Sequence, residues 1–400
     1  RSIAIRVQVY DFTLPVEQNL KTVWGLTTSM FTKLYGDGFD REMAFDLYDL
    51  LLDHRLAVND LYRIRPTGIA GEDAMHYLTN PEGMRFLMER GSGWWNVGYV
   101  LAPEHAIKQD RPFGVDAYDE YLRKCVEMFT PDVERLHEAG WPKDRMGIYF
   151  LDETSDFETL GKAAQVIKQA FPDIPLMTTG YDRTYGLEDT PTSKYLDIWV
   201  PLTPRYHEDR EKIIRGRAIG KQTWWYICVG PRETRSLNWF TQYPAIRSRL
   251  LMGAAAWKYE TDGFLYYRLD GWYNNEKLIT TGPYTDWVPQ YRDALPDGDG
   301  QLLCAGPNGP ISTIRLENIR DGIEDYEYLW RLRELIERAA GMSLPGREEA
   351  AVARAEKLLA VPDYLLSDVN TYTQDPDVLA EHRDRVAEAI CRLQGIVENR

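Results

Sequence analysis

Short apolar runs that stop at charge alternate along the chain with longer stretches whose apolar residues recur every three or four positions. The runs fall at 3–10, 56–60, 94–101, 146–151, 176–179, 196–200, 223–229 and 264–267, and their length and composition predict buried strands. Between them Tyr118, Tyr121, Leu122, Cys125, Val126, Phe129 and Val133 follow helical spacing over 117–139. Stretches 159–171 and 239–258 behave the same way. Strands alternating with helices predict βα units on a parallel sheet, and eight of them predict closure into a (β/α)8 TIM barrel. After the eighth run, Pro283, Pro289, Pro296 and the turn-rich 297–300 make a long irregular insertion, the form of a wall or lid at a barrel mouth. A hairpin is expected at 301–304 and 311–316. From Arg347 onward Ala351, Leu358, Leu359, Val386, Ile390 and Leu393 keep helical spacing. The expected organisation is a barrel over 1–335 with C-terminal helices over 336–400 packed on it.

In such a barrel the functional groups gather at the C-terminal ends of the strands. The fourth run, MGIYFL over 146–151, ends in Asp152 and Glu153. Two adjacent carboxyl groups at the rim of a core can hold different protonation states, one acid and one base. The plainer reading has Asp152 capping a helix that begins near Ser155, with Glu153 solvated. The other strand ends offer Tyr10, Asp11 and Phe12, then Tyr181 and Asp182, then Trp224, Trp225 and Tyr226, and finally Arg268, Asp270, Trp272 and Tyr273. Strand side chains alternate between two faces, so only one parity set of 224–226 can meet a ligand.

Composition narrows the chemistry. The 400 residues carry a formal net charge of -15, and no basic run is interleaved with aromatics, which argues against a nucleic-acid partner or an anionic membrane surface. No apolar stretch approaches the roughly 20 residues of a bilayer-spanning helix. Cys125, Cys228, Cys304 and Cys391 are widely spaced and the six histidines lack ligand spacing, so no metal site is expected. Neither GxGxxG nor GxxxxGK[ST] follows a strand, and no nucleotide cofactor is expected. The 12 tryptophans and 25 tyrosines fit a carbohydrate ligand, because aromatic faces stack on the C–H faces of sugars while indole N–H and phenol O–H reach hydroxyls. Oligomeric state and localisation are not legible in these features.

Two segments resemble the catalytic domain of glycoside hydrolase family 123. One is the Asp152-Glu153 pair, the other STIRLENIRDGIEDYEYL over 312–329. VYDFTLP at 9–15 and DGFLYY at 262–267 support them, so the resemblance covers 1–335; Thr154 departs from the family pattern, where many members have proline. The resemblance implies a (β/α)8 barrel, usually preceded by a β-sandwich domain, and a retaining N-acetyl-β-galactosaminidase. It implies that Glu153 is the general acid and that Asp152 orients the substrate's own 2-acetamido group, which attacks the anomeric carbon. Under it, Trp199, Trp224, Tyr226, Trp257 and Tyr267 become candidates for the apolar wall around the acetamido methyl. Asp182 and Asp270 become candidates for the sugar O4, and Tyr181, Trp272 and Arg315 for further contacts. Arg315, Glu317, Arg320 and Asp321 also suit a structural ion network.

Two other readings remain at this stage. A glycosidase of the same barrel acting on a sugar without a 2-acetamido group would need a second carboxylate, Asp182 or Asp270, about 5 to 5.5 Å from Glu153 across the anomeric carbon. A non-catalytic carbohydrate-binding barrel would keep the aromatics and need neither carboxyl group of the pair.

Overall fold

A computed structural model describes residues 7–27, 29–64, 81–107, 113–280, 286–291 and 295–398. Its frame is parallel. Strands β2 (Trp95–Val100), β3 (Met146–Phe150), β4 (Leu176–Thr178), β5 (Ile198–Trp199) and β6 (Gln222–Thr223) form one five-stranded sheet in that order. Strands β1 (Lys21–Trp24), β7 (Trp225–Ile227) and β8 (Gly263–Tyr266) form a second, ordered β1-β8-β7. Residue 224 alone separates β6 from β7, and its amide donates to the Trp199 carbonyl at 2.9 Å. The two sheets are therefore one continuous parallel ribbon along 222–227, and all its C-terminal ends lie on one side.

Helices cover the strands over most of the stretches that the 3.6-residue period predicts; in the expected 239–258 only the part from Ile246 on is helical, with a π-helical turn at Leu251–Ala255. Helix Tyr118–Glu138 buries Tyr121, Leu122, Cys125, Phe129 and Val133. Helix Phe157–Ala170 starts at Asp156, whose carboxylate accepts the Thr159 amide at 3.0 Å. Asp156, not Asp152, is thus the N-cap. The hairpin expected at 301–304 and 311–316 forms with shifted bounds, β9 (Leu303–Gly306) against β10 (Gly309–Ser312), and 314–316 opens a helix instead. Helix Ile314–Ala340 follows, capped by Thr313, and helices Gly346–Leu359 and Pro376–Glu398 pack on it.

Several expectations are corrected. The described part of the run at 3–10, residues 7–10, forms no strand. Residues 3–6 lie outside the described residues, and Val7 and Val9 are 76% and 86% exposed. The Tyr10 hydroxyl donates to Asp384 and Phe12 packs edge-on against Tyr328, so this segment lies on the C-terminal helices. Among the described residues the first strand is Lys21–Trp24, paired with Gly263–Tyr266. The second run, 56–60, is buried but joins no ladder. Side chains hold it instead, Asn96 reaching the carbonyls of Asp60 and Leu61 at 3.1 and 2.8 Å.

Trp94 and Trp224, both fully buried, meet at 4.7 Å in a T-shaped pair. Their rings need the space that two glycines leave. A Cβ on Gly147 would stand 2.5 Å from the Trp94 ring, and one on Gly263 2.3 Å from the Trp224 ring. Burying such rings contributes roughly 2–3 kcal/mol each, so Trp224 is a core element here rather than a ligand wall.

Candidate active site

The turn after β3 is unusual backbone. Leu151 and Glu153 adopt φ of 32° and 49°, the left-handed region that non-glycine residues avoid, and conformations of this kind cluster where function requires them. The turn points Asp152 and Glu153, both exposed, in different directions.

Asp152 is held by hydroxyl groups. Its Oδ1 accepts from Tyr149 at 2.6 Å and from Thr179 at 2.7 Å, and its Oδ2 accepts from Tyr62 at 3.0 Å. Its amide donates to the Tyr99 oxygen at 3.2 Å. The three phenol rings pack on one another with centroids 5.2 to 5.8 Å apart, which fixes their hydroxyls. Desolvation, and then the Asp152 charge, hold the Tyr62 and Tyr149 phenols well above their ordinary range, so they stay protonated as donors.

Glu153 faces the other way. Its Oε1 accepts from Tyr226 at 2.5 Å, and Tyr181, half of whose surface is exposed, stands beside it. Burial pushes the Cys228 thiol, on the same strand end, up to about 12; the Gly230 amide that donates to its sulfur opposes the rise, and the charges of Glu153, Asp299 and Asp152 add to it. Beside Tyr226 opens a cavity of about 440 Å³ lined by Thr179, Tyr181, Asp182, Trp199 and Leu202 among others.

The sequence candidates thus divide. Tyr181, Asp182, Trp199 and Tyr226 come together around the cavity. Asp182 is nearly buried, accepting from the Thr184 amide and hydroxyl at 2.9 and 3.0 Å and from Trp199 at 3.4 Å. Parity explains strand β7: Tyr226 and Trp224 point inward, whereas Trp225 packs on Tyr206 and Tyr259 among the helices. Trp257 lies outside, donating to the Leu359 carbonyl at 2.9 Å and packing on Tyr326. Trp272 is core, bound to the Leu303 carbonyl at 2.8 Å. Asp270 is fully buried against Arg268 and the Thr27 amide, and burial pushes its carboxyl up to about 6. Arg315 binds carbonyls: Trp239 at 3.2 Å, Gly298 at 2.6 Å and Gln301. It pins the insertion after β8 rather than facing a ligand. Arg320 sits 2.9 Å from Glu317 and 3.0 Å from Asp321, a network at the start of the same helix. Tyr62, Tyr99, Tyr149 and Thr179 escape sequence reasoning altogether.

The insertion carries its own buried acid. Asp299 accepts from Tyr267 at 2.8 Å and Tyr266 at 3.3 Å, and burial raises its carboxyl from an ordinary 3.8 to about 6. The folded chain then holds that proton more tightly than the unfolded chain. The contribution of Asp299 is fully present below about pH 4 and is lost as pH rises through about 6. Asp299→Asn keeps an acceptor and removes the titration. Relative to wild type its stability is expected to improve by up to about 3 kcal/mol between pH 4 and 7, read from urea midpoints; an unchanged difference across that window contradicts the assignment.

The model of the glycoside hydrolase 123 catalytic domain matches residues 99–332, more than half of the chain, including both carboxyl groups and the cavity. The chain belongs to glycoside hydrolase family 123. It is similar in structure to a family 123 glycoside hydrolase from Clostridium perfringens, solved in work on glycolipid glycan hydrolysis, at a TM-score of 0.59 and 15% identity over 96% of this chain and 71% of that one. At that identity the likeness establishes the fold alone. A mutant xylanase 10C from Cellvibrio japonicus, in complex with xylopentaose, superposes at 0.35 with 10% identity over 64% and 58% of the two chains, too loosely to establish a shared fold. No curated protein matches in sequence. Among the described residues no helix is long and apolar enough to cross a membrane, and no cluster of His, Cys, Asp and Glu has the makings of a metal site.

Proposed function

We propose that this family 123 glycoside hydrolase is a retaining β-N-acetylgalactosaminidase that uses the 2-acetamido group of its substrate as the nucleophile. One observation carries the reading: two adjacent carboxyl groups are held by separate hydroxyl sets, Tyr62, Tyr149 and Thr179 on Asp152, and Tyr226 with Tyr181 beside it on Glu153. That asymmetry suits one permanent carboxylate and one proton carrier.

In the reaction the acetamido carbonyl oxygen bonds to the anomeric carbon as the glycosidic C–O bond breaks, and Glu153 gives its proton to the departing oxygen. Asp152 accepts the acetamido N–H and stabilises the positive charge of the oxazolinium ion. Glu153, now a carboxylate, takes a proton from the water that reopens the ring at the anomeric carbon, restoring both groups and the original configuration. Tyr226, donating to Oε1, leaves Oε2 to carry the transferred proton. Trp199, Tyr181 and Asp182 wall the cavity that accommodates the sugar.

The surroundings favour this route over an enzyme nucleophile. Asp182 and Asp270 already accept hydrogen bonds from Thr184, Trp199 and Thr27, and Asp270 has no exposed surface. We read the parallel ribbon as a β/α barrel within 1–335, with 336–400 as a helical layer; β6 and β7 count as one strand through residue 224 and 56–60 joins no ladder, so the described ribbon has seven strands where eight were expected. The contact of Trp94 with Trp224 across three intervening strands supports that curvature. A thiazoline mimic of the bicyclic intermediate is expected to inhibit competitively and far more tightly than the product sugar; affinity no better than product would remove the acetamido step. The substrate class is glycan, and the glycolipid glycans of the Clostridium perfringens relative are the first to try.

A further inference from the structure

Thr179, the residue after β4, touches both members of the pair. Its hydroxyl oxygen accepts the Glu153 amide at 3.1 Å and donates to Asp152 Oδ1 at 2.7 Å. Tyr149 also lies 2.6 Å from that oxygen and 2.6 Å from Asp152 Oδ1. Each hydroxyl has one proton. With both protons on Asp152, the Thr179 lone pairs remain for the Glu153 amide, and the Tyr149–Thr179 contact is the one of the three oxygen–oxygen contacts that carries no proton. Thr179 is 2% exposed, and the parallel pairing of Phe150 with Thr178 sets its place beside the turn.

We infer that Thr179 is a positioning residue: one hydroxyl bound to the backbone of Glu153 and the carboxylate of Asp152 sets the relative placement of acid and acetamido partner. The inference rests on the mechanism proposed above. The Glu153 amide needs such an anchor because its residue holds a left-handed φ of 49°, which an unassisted glutamate leaves for commoner conformations. Tyr149 and Tyr62 hold Asp152 but neither reaches the Glu153 backbone in this network. Thr179 alone of the Asp152 donors couples the two groups.

The test compares wild type, Thr179→Val and Thr179→Ser. Valine keeps the shape and removes both hydrogen bonds, whereas serine keeps the hydroxyl. Thr179→Val is expected to lower kcat about 100-fold with KM changed less than threefold, since misplacement by an ångström costs that much. Thr179→Ser is expected to recover kcat to within about tenfold of wild type. A Val variant within threefold of wild type, or a Ser variant no better than Val, overturns the role. Should Val not fold by circular dichroism, Thr179→Ala against Thr179→Ser gives the same comparison. The ratios are read on whichever glycoside wild type cleaves, so an error in the acetamido assignment appears in the wild-type substrate profile and an error about Thr179 in the variants.

Discussion

Glu153→Gln is expected to lower kcat/KM by about 10³ to 10⁴ on a substrate with a sugar leaving group. The amide is nearly isosteric and still accepts the Tyr226 hydroxyl, which sits 2.5 Å from Oε1 in the native chain, so the fold and the turn should persist. What disappears is the proton. The loss must therefore depend on the leaving group: large for a disaccharide, smaller for para-nitrophenol, smallest for 2,4-dinitrophenol, which departs without help. A variant equally impaired on all three would show that Glu153 binds rather than protonates.

Asp152→Asn is expected to cost about as much, without that dependence on the leaving group. Its carboxylate stabilises the charge that forms as the acetamido group attacks, and an amide supplies neither charge nor two acceptors. The loss should be similar for good and poor leaving groups, because the nucleophile and not the acid is weakened. Azide should not restore activity, since no enzyme carboxylate is being replaced. Recovery with azide would point to a covalent glycosyl intermediate on the protein. Asparagine also turns an amide N–H toward Tyr62, Tyr149 or Thr179, three groups that donate in the native chain. A fall in stability of about 1–3 kcal/mol should accompany the kinetic loss.

The sequence carried the pair because its signal is local: an apolar run stopping at two acids. Strands β3, β4, β5 and β8 were legible for the same reason. The first strand was not. KTVW at 21–24 begins at a lysine that pairs with Asp144 and becomes a strand through its ladder with β8, some 240 residues away. The alternating 3–10 segment has the stronger local pattern, yet Val7 and Val9 stay exposed. The hydroxyl cage had no local signal either. Tyr62, Tyr99, Tyr149 and Thr179 come from four separated segments, and each reads as an ordinary strand or loop residue until the parallel register brings their hydroxyls to Asp152. Trp257 and Arg315 show the converse error. Their positions follow strand-end and signature patterns, but Trp257 binds a carbonyl of an outer helix and Arg315 three loop carbonyls.

Substrate-assisted cleavage at an N-acetyl-β-galactosaminide is tested most directly by initial rates on the para-nitrophenyl glycosides of β-N-acetylgalactosamine, β-N-acetylglucosamine and β-galactose, with wild type and Glu153→Gln side by side. The mechanism predicts hydrolysis of the N-acetylgalactosaminide, little of the N-acetylglucosaminide and none of the galactoside, with the variant strongly impaired. Wild-type hydrolysis of the plain galactoside at a comparable rate would contradict it, because that sugar brings no acetamido group to do the attacking.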